Sequence, residues 1–397
     1  MTQLTGYLRS DGRKGIRNLV AVAYLVECAH HVARQIVAPT PEDAHVIGFP
    51  GCFPNPYAQT MMERLCTHPN VGAVVLVSLG CESFNRYRLE KMISDSGRPV
   101  QTLVIQRDGG TRSTIAQGRA FVAEAIEALG EAQRVPMDVS DLVIGTVCGG
   151  SDGTSGISGN PAVGLAFDHF VQKGATCIFE ETGELIGCED IMVSRAATPE
   201  LGQELRAAVD KAARYYATLG FGSFAAGNAD GGLTTIEEKS LGAYAKSGQS
   251  QISGLIKPGD IPPRGGLYLM DVVPDGEVRF GFPNISDNAE IVEMMASGAL
   301  ITLFVTGRGS VVGSALAPVI KIAANPLMYE RLEEDMDINA GRVITGKATL
   351  EAVGQEIVDL TLRVAGGEAT KSEDLGHTEF ILTYKSFEPI GPSCLPV

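Results

Sequence analysis

Short runs of β-branched residues alternate with helix-length amphipathic segments along most of the 397-residue chain. The runs Leu19–Val26 and Ala73–Leu79 are each followed by a predicted helix, and Leu142–Val147 starts the same pattern again. Strands that alternate with helices of about 10–15 residues are typical of parallel sheets, because a long crossover must bring the next strand back alongside. The alternation therefore predicts an α/β fold of Rossmann-like lobes, each a parallel sheet with helices on both faces.

The polar segment EAQRVPMDVSD at 131–141 interrupts this pattern near the end of its first third. Its composition is typical of a boundary between domains. We expect an N-terminal α/β domain over 1–135 and a C-terminal α/β domain over 136–397. In the second domain the pattern predicts strands at Thr176–Phe179, Gly266–Asp271 and Leu300–Val305, with helices after Ser310 and over Leu350–Ala365.

Charge and composition exclude several classes of partner. The formal net charge is −15, and no basic stripe is present that could follow a nucleic-acid backbone. The polar N-terminus lacks the apolar core of a secretory signal, and no apolar run reaches the roughly 18 residues of a membrane span. The eight cysteines form no CxxC pair. We expect a cytoplasmic protein with reduced thiols that binds neither nucleic acid nor membrane.

Glycine is abundant, at 47 of 397 residues, and much of it directly follows the predicted strands. Loops of this kind lie at 148–153, 180–183 and 306–310. In open α/β sheets, ligands bind beyond the carboxyl ends of the strands, where glycine lets the backbone approach them closely. Tight strand-to-helix turns need glycine as well, but they do not need the cysteine, acidic and arginine residues that these loops also carry. The pattern therefore predicts a site at the carboxyl ends of the strands.

Motif searches narrow the chemistry of that site. No Walker A, GxSxG or HExxH motif occurs, which removes the simplest nucleotide and hydrolase interpretations. The glycines at 307, 309 and 313 resemble a dinucleotide fingerprint with one extra residue, but the acidic partner expected about 20 residues later is missing. Cys52, Cys81 and Cys148 each follow a strand, with Glu82 beside the second. Three thiolates could hold iron as one ion or as a cluster, although free cysteines are also common packing residues.

Several segments together resemble the altronate/galactarate dehydratase family, in its large catalytic region. The segments, which cover nearly the whole chain in order, are GYLRSDGRKGIRN (6–18), PGC (50–52), GCE (80–82), QRDGGTRSTIAQG (106–118), CGGSDGTSGISGNPAVG (148–164), GNADGGLTTIEEKSLG (227–242), TGRGSVVGSALAPVIK (306–321) and DMDINAG (335–341). The resemblance implies a metal-dependent lyase that performs β-elimination on a small 2-hydroxycarboxylate. It implies Fe²⁺ as the metal, with Mn²⁺ or an iron–sulfur cluster as alternatives.

Under this resemblance the candidate site residues take three roles. A base must remove the proton next to the carboxylate, cationic and polar groups must dock the anionic substrate, and the cysteines with Glu82 would hold the metal. The candidates are Glu181, Lys239 and Glu237 for proton transfer, Arg112, Ser151, Asp152, Arg308 and Ser310 for the substrate, and Cys52, Cys81, Cys148 and Glu82 for the metal.

Two departures from the dehydratase pattern point to one branch of the family. Dehydratases of this family carry a histidine shortly before the first Gly-Cys, where this chain has Phe49-Pro50. Segments 266–299 and 380–394 resemble the sulfolactate sulfo-lyase branch more than the sugar-acid dehydratases. The expected reaction is (2R)-3-sulfolactate to pyruvate and sulfite, with a sugar-acid dehydratase that gives a 2-keto-3-deoxy acid as the alternative. Because the match begins at Gly6, we also expect a separate small alpha subunit and an oligomeric assembly.

Overall fold

The structure is a computed structural model, and it describes residues 4–219, 225–275, 286–382, 384 and 385. Within these ranges the strands are β1 (Thr5–Leu8), β2 (Lys14–Gly15), β3 (Leu19–Tyr24), β4 (Ala44–Gly48), β5 (Val71–Ser78), β6 (Val100–Val104), β7 (Val135–Pro136), β8 (Val143–Cys148), β9 (Thr176–Phe179), β10 (Ile252–Ile256), β11 (Gly266–Met270), β12 (Ile301–Thr306), β13 (Val319–Ala323) and β14 (Ile338–Asn339). The helices are α1 (Glu27–Val37), α2 (Pro56–Cys66), α3 (Arg86–Asp95), α4 (Gly110–Gly130), α5 (Gly159–Gln172), α6 (Glu189–Arg195), α7 (Pro199–Leu219), α8 (Ala226–Asp230), α9 (Ile236–Tyr244), α10 (Asp287–Ala296), α11 (Pro326–Arg331), α12 (Leu350–Ala365) and α13 (Lys371–Asp374).

The first half of the chain forms a four-stranded parallel sheet in the order β4-β3-β5-β6. Successive residues of its central strands are buried on opposite faces. Val20 and Val22 pack in one apolar cluster with α1 and α4, whereas Ala21 and Ala23 pack in another with α2 and α3. The continuous apolar runs therefore reflect a sheet that is covered by helices on both sides.

The second half forms a seven-stranded parallel sheet in the order β10-β11-β9-β8-β12-β13-β14. One face packs on α5, α7 and α12, and the other packs on α10. From the central strand β8 the chain first adds β9 on one side and later adds β12 on the other. The connection that follows β8 therefore leads to one side of this strand, and the later connection to β12 leads to the other side. Open α/β sheets form a ligand-binding crevice at such a point, beyond the carboxyl ends of the strands.

A shared apolar core joins the two sheets. Phe49 and Met61 from the first half lie in the same buried cluster as Phe304 and Met294 from the second half. The first described strand, β1, pairs with β2 on one side and with β7 on the other, which forms a small antiparallel sheet in the order β2-β1-β7 and adds a second connection. Helix α2 starts with the Asn55 side chain accepting a hydrogen bond from the Ala58 amide, 3.0 Å away.

The predicted alternation of strands and helices is observed. The prediction of a helix after Ser310 is wrong. Residues 309–318 are irregular and lead into strand β13. The strand therefore needs no helix before it, because 309–318 is already long enough to return the chain to the edge of β12, with which β13 pairs in parallel. No described helix is long and apolar enough to cross a membrane.

Candidate functional site

A cavity of about 820 Å³ opens at the carboxyl ends of β8, β9, β11 and β12. Its walls come from the loops that follow these strands and from the starts of α8, α9 and α10. The lining residues are Cys148, Gly149, Gly150, Ser151, Glu181, Gly183, Glu184, Tyr216, Ala225, Ala226, Gly227, Asn228, Lys239, Val272, Ser286, Asp287, Glu290, Arg308 and Gly309. The cavity lies at the divergence between β8 and β12, where the fold predicts a ligand site.

Glu181 lies at the centre of the site in a strained conformation. Its φ of 76° is in the left-handed region, and no other non-glycine residue in the described ranges has a positive φ. Such strain costs about 1–3 kcal/mol and is concentrated at functional sites. The Glu181 carboxylate forms an ion pair with Lys246, whose side chain is fully buried. It also accepts hydrogen bonds from the backbone amide of Cys148 at 3.2 Å and from its thiol at 3.3 Å.

A second buried ion pair joins Glu184 to Lys239 on the cavity wall. Burial opposes the charge of Lys239, but the Glu184 carboxylate outweighs burial and raises the pKa of Lys239 above its ordinary value. The pair with Glu184 favours the charged form of Lys239, which can bind an anion or donate a proton, and its role as the base stays a prediction.

Three further carboxylates, which belong to Glu180, Asp287 and Glu290, extend the acidic cluster. Burial is the largest cause of the raised pKa in each: about 6 for Asp287, about 8 for Glu290 and well above the ordinary value for Glu180. Helix α10 presents Asp287 and Glu290 to the cavity from positions i and i+3, which share one helix face. Five acids thus surround two lysines, so acidic groups outnumber basic groups in this site.

Two overlapping groups could hold a metal ion. One consists of Cys148, Glu181 and Glu184, and the other consists of Glu180, Glu181 and Glu290; within each group the ligand atoms lie within 4.8 Å of one another. Both carboxylate oxygens of Glu180 are buried and have no hydrogen-bond partner among the described residues, which is unusual for a carboxylate and fits the coordination of a cation. Burial raises the pKa of the Cys148 thiol, which opposes the thiolate form that a metal needs. The residues present therefore fit a divalent cation.

Two strand-end glycines make room for acidic side chains. A Cβ atom on Gly149 would lie 2.6 Å from Cγ of Asp287 and 2.7 Å from Cζ of Phe304. A Cβ atom on Gly307 would collide with the carboxylate of Asp152. These contacts are shorter than any van der Waals contact, so a larger residue at either position must displace the acidic side chain beside it.

Two family models match the chain and together span most of it. The second domain of D-galactarate dehydratase/altronate hydrolase matches residues 6–130, and the C-terminal part of D-galactarate/altronate dehydratase matches residues 139–387. The chain belongs to the galactarate/altronate dehydratase family. It is therefore a lyase of this family, and the cavity just described lies in the region that the C-terminal model covers.

Individual relatives within the galactarate/altronate dehydratase family share about a third of the sequence or slightly less. The beta subunit of (2R)-sulfolactate sulfo-lyase from Chromohalobacter salexigens is 34% identical over 95% of this chain and 96% of its own length. Galactarate dehydratase (L-threo-forming) from Escherichia coli is 31% identical over 93% of this chain and 74% of its own length. Altronate dehydratase from Bacillus subtilis is 28% identical over 93% and 75%, respectively.

The structure brings five of the predicted site residues together in this dehydratase-family cavity: Cys148, Ser151, Glu181, Lys239 and Arg308. Arg308 lies half-exposed at the rim, where it donates a hydrogen bond to the Gly227 carbonyl and lies 3.8 Å from Asp230. Asp152 is buried and does not line this cavity; its carboxylate accepts hydrogen bonds from the Thr154 backbone amide at 2.9 Å and from the Asn325 side-chain amide at 2.9 Å. Through these hydrogen bonds Asp152 stabilises the loop that carries it.

The cysteines of the predicted three-cysteine metal site lie on separate loops. Cys52 and Cys81 are exposed on loops that follow strands of the first sheet, whereas Cys148 is buried at the end of β8. Among the described residues, no group of three candidate ligands close enough to bind one metal ion contains Cys52 or Cys81. The Glu82 carboxylate turns back on its own loop and accepts hydrogen bonds from the Ser78 hydroxyl and, at 2.9 Å, from the Gly80 amide. The three cysteines thus follow strands of two different sheets, and their role as metal ligands stays a prediction.

Three other predicted residues lie outside the cavity lining. Arg112 is exposed in the first turn of α4, and Glu237 is exposed in the first turn of α9. Ser310 is half-buried just beyond the lining residue Gly309, and its hydroxyl accepts a hydrogen bond from the Val312 amide at 3.3 Å.

Sequence reasoning missed four residues of this site. Glu180 could have been found, because it directly precedes Glu181 at the same strand end. Asp287 and Glu290 carry a weaker signal, namely two acids on one face of a helix that is otherwise largely buried. Lys246 follows α9 in a turn that resembles any other helix end, and only the fold places its ammonium group beside Glu181.

Proposed function

We propose that the chain catalyses β-elimination on a small 2-hydroxycarboxylate, and that its substrate is (2R)-3-sulfolactate, which yields pyruvate and sulfite. The observation that carries this proposal is the cavity at the strand ends, where paired acids and lysines meet an arginine at the rim. The 34% identity to a sulfo-lyase beta subunit over nearly the full length of both chains supports the choice of substrate.

A divalent metal in this acidic cavity, which we propose to be Fe²⁺ with Mn²⁺ or an iron–sulfur cluster as alternatives, would act as a Lewis acid on the substrate carboxylate. The excess of acids over lysines supports this, because a dianionic substrate would otherwise enter a site of its own charge. The chain carries a formal net charge of −15, so attraction must come from groups inside the cavity.

The proton next to the substrate carboxylate must pass to a base of the chain. Asp287 lines the cavity, and its pKa of about 6 suits a base that works near neutral pH. Glu181 is the other candidate, with its carboxylate held in place by Lys246 and by the Cys148 amide. Comparison of Asp287→Asn with Glu181→Gln separates them: loss of the base removes the acid limb of the kcat/KM profile and leaves the substrate KM little changed.

The elimination itself breaks the bond between C3 and the leaving group while the C2 proton is removed. The resulting enol becomes pyruvate by losing the proton of its C2 hydroxyl group and taking up a proton at C3, and sulfite leaves with the electron pair of the broken bond. Sulfite departs as a stable anion and needs cationic stabilisation but no proton. Lys239, held charged by Glu184, and Arg308 are the cavity-lining cations that we propose for this task.

A substrate panel tests the proposal. Purified chain, loaded with Fe²⁺ without oxygen, is incubated with sulfolactate, altronate or galactarate, with and without a candidate small subunit. We expect sulfite and pyruvate in equal amounts from sulfolactate. Release of a 2-keto-3-deoxy acid from a sugar acid, with no sulfite from sulfolactate, would instead establish the second candidate function, which the 31% identity to galactarate dehydratase favours.

A partner subunit forms part of the proposal. The relative from Chromohalobacter salexigens is named as a beta subunit, so we propose that this chain also works with a separate small alpha subunit in a cytoplasmic hetero-oligomer. Co-expression with such a subunit and analysis of the complex by size-exclusion chromatography with light scattering tests this directly.

A further inference from the structure

We propose that the carboxylates of Glu180, Glu181 and Glu290 bind a hard divalent cation, and that the Cys148 sulfur lies outside its coordination sphere. This inference rests on the metal dependence in the proposed function, and it adds the location of the metal and its chemical class.

The geometry of the three carboxylates supports a shared ion. One oxygen from each lies within 4.8 Å of the other two, and all three residues are buried. Oxygen ligands bind divalent cations at about 2.0–2.6 Å, so atoms at this spacing can converge on one ion with small rotations of the side chains. Glu181 and Glu290 line the cavity, which gives an ion held there access to substrate.

Glu180 supplies the observation that distinguishes this group from an ordinary acidic cluster. Its residue exposure is 0%, and neither of its carboxylate oxygens accepts a hydrogen bond from any described group. A buried acceptor without a partner is costly, and native proteins seldom keep one without a water, an ion or a functional reason. A cation among these three carboxylates would satisfy the Glu180 oxygens.

The competing group of Cys148, Glu181 and Glu184 is already engaged. Lys239 pairs with Glu184, and the Lys246 ammonium group donates to the Cys148 sulfur at 3.5 Å. The Cys148 sulfur is also within hydrogen-bond distance of both carboxylates in its group. Glu181 belongs to both groups and is bonded to Lys246 in either case, so the difference lies in the other ligands. Cys148 and Glu184 must lose bonds before they bind a metal, whereas Glu180 accepts no hydrogen bond from any described group.

The donor set also selects the class of metal. Three carboxylates offer only oxygen atoms, which suit Mg²⁺, Mn²⁺ and Fe²⁺, whereas iron–sulfur clusters and soft ions need thiolates. The inference therefore favours a single ion over a cluster.

Manganese binding to the full chain tests the site without any measurement of catalysis. Chelator-treated protein is titrated with Mn²⁺, and free Mn²⁺ is measured by its electron paramagnetic resonance signal. We expect one tight site per chain. Glu180→Gln should weaken it at least about tenfold, since even outer partners of metal ligands are worth about 10–100-fold in affinity. The matched variant Cys148→Ser should bind within about threefold of the parent.

Thermal unfolding supplies a second readout that a merely structural glutamate would not produce. Mn²⁺ should raise the melting temperature of the parent, because the ion binds the folded chain in preference to the unfolded one. Glu180→Gln should lose most of this rise.

Three results would overturn the site: no saturable binding by the parent, parent-like affinity in Glu180→Gln, or equal loss in Cys148→Ser. The site and the function fail separately. A chain that eliminates substrate but binds Mn²⁺ independently of Glu180 overturns the site alone. A chain that binds Mn²⁺ through Glu180 and releases product from no tested substrate overturns the function alone.

Discussion

Gly149→Ala should damage the site through one added methyl group. Gly149 follows β8, and its Cβ would lie 2.6 Å from Cγ of Asp287 and 2.7 Å from Cζ of Phe304. Carbon atoms pack at about 3.5 Å or more, so the neighbours must move by about 0.9 Å. Phe304 is fully buried on β12, and Asp287 opens helix α10, which also carries Glu290. The displacement therefore falls on the acidic wall of the cavity.

The size of the effect follows from this displacement. Overpacking of a buried site by one methyl group costs about 1–3 kcal/mol of stability. A misplacement of about 1 Å in catalytic geometry costs about 100-fold in rate. We expect Gly149→Ala to lower kcat/KM for β-elimination about 100-fold relative to the parent. We also expect it to lower the melting temperature by a few degrees.

Gly153→Ala is the matched control, because it adds the same methyl group to the same loop. The nearest atom to its Cβ is the Gly231 carbonyl oxygen at 3.8 Å, an ordinary contact. We expect activity within about threefold of the parent. If Gly149→Ala retains parent activity and stability, or if the two variants lose activity equally, the close approach of Asp287 to Gly149 does not matter and the reasoning is refuted.

Three further predictions concern the charged groups. Lys246→Met should lower the free energy of unfolding by about 3–5 kcal/mol, because a buried acid is left unpaired. Lys91→Met removes one partner of an exposed ion pair and should change this free energy little. Equal denaturation midpoints for the two variants would contradict the prediction. Glu290 has a pKa of about 8 in the folded chain against about 4.5 unfolded, so metal-free protein should lose stability as pH rises from 4.5 to 8, and Glu290→Gln should flatten that slope in denaturant titrations. Arg308→Met should raise the substrate KM about tenfold or more with little change in kcat, whereas Arg112→Met should leave KM unchanged. A rise in KM for Arg112→Met alone would show that the substrate binds at the first sheet instead.

The sequence alone determines the class of fold and the position of the site along the chain. Apolar runs such as 142–147, alternating with amphipathic segments, leave a parallel α/β sheet as the arrangement that buries them, because both faces of such a sheet must be covered. The loops at 148–153, 180–183 and 306–310 combine glycine with reactive side chains, which is a local signal. It correctly indicated Cys148, Glu181 and Arg308 as neighbours in space, since parallel strands end at one edge.

Only the tertiary structure decides which strand ends meet and which partners each side chain finds. Cys52, Cys81 and Cys148 look equivalent in the sequence, but they follow strands of two different sheets, and strand order within a sheet is a long-range property. The pairing of Lys246 with Glu181, and the presentation of Asp287 and Glu290 by α10, likewise depend on packing between segments that are distant in the chain. Local patterns report which residues lie at an edge, whereas charge pairing, burial and raised pKa values arise only when the fold brings those edges together.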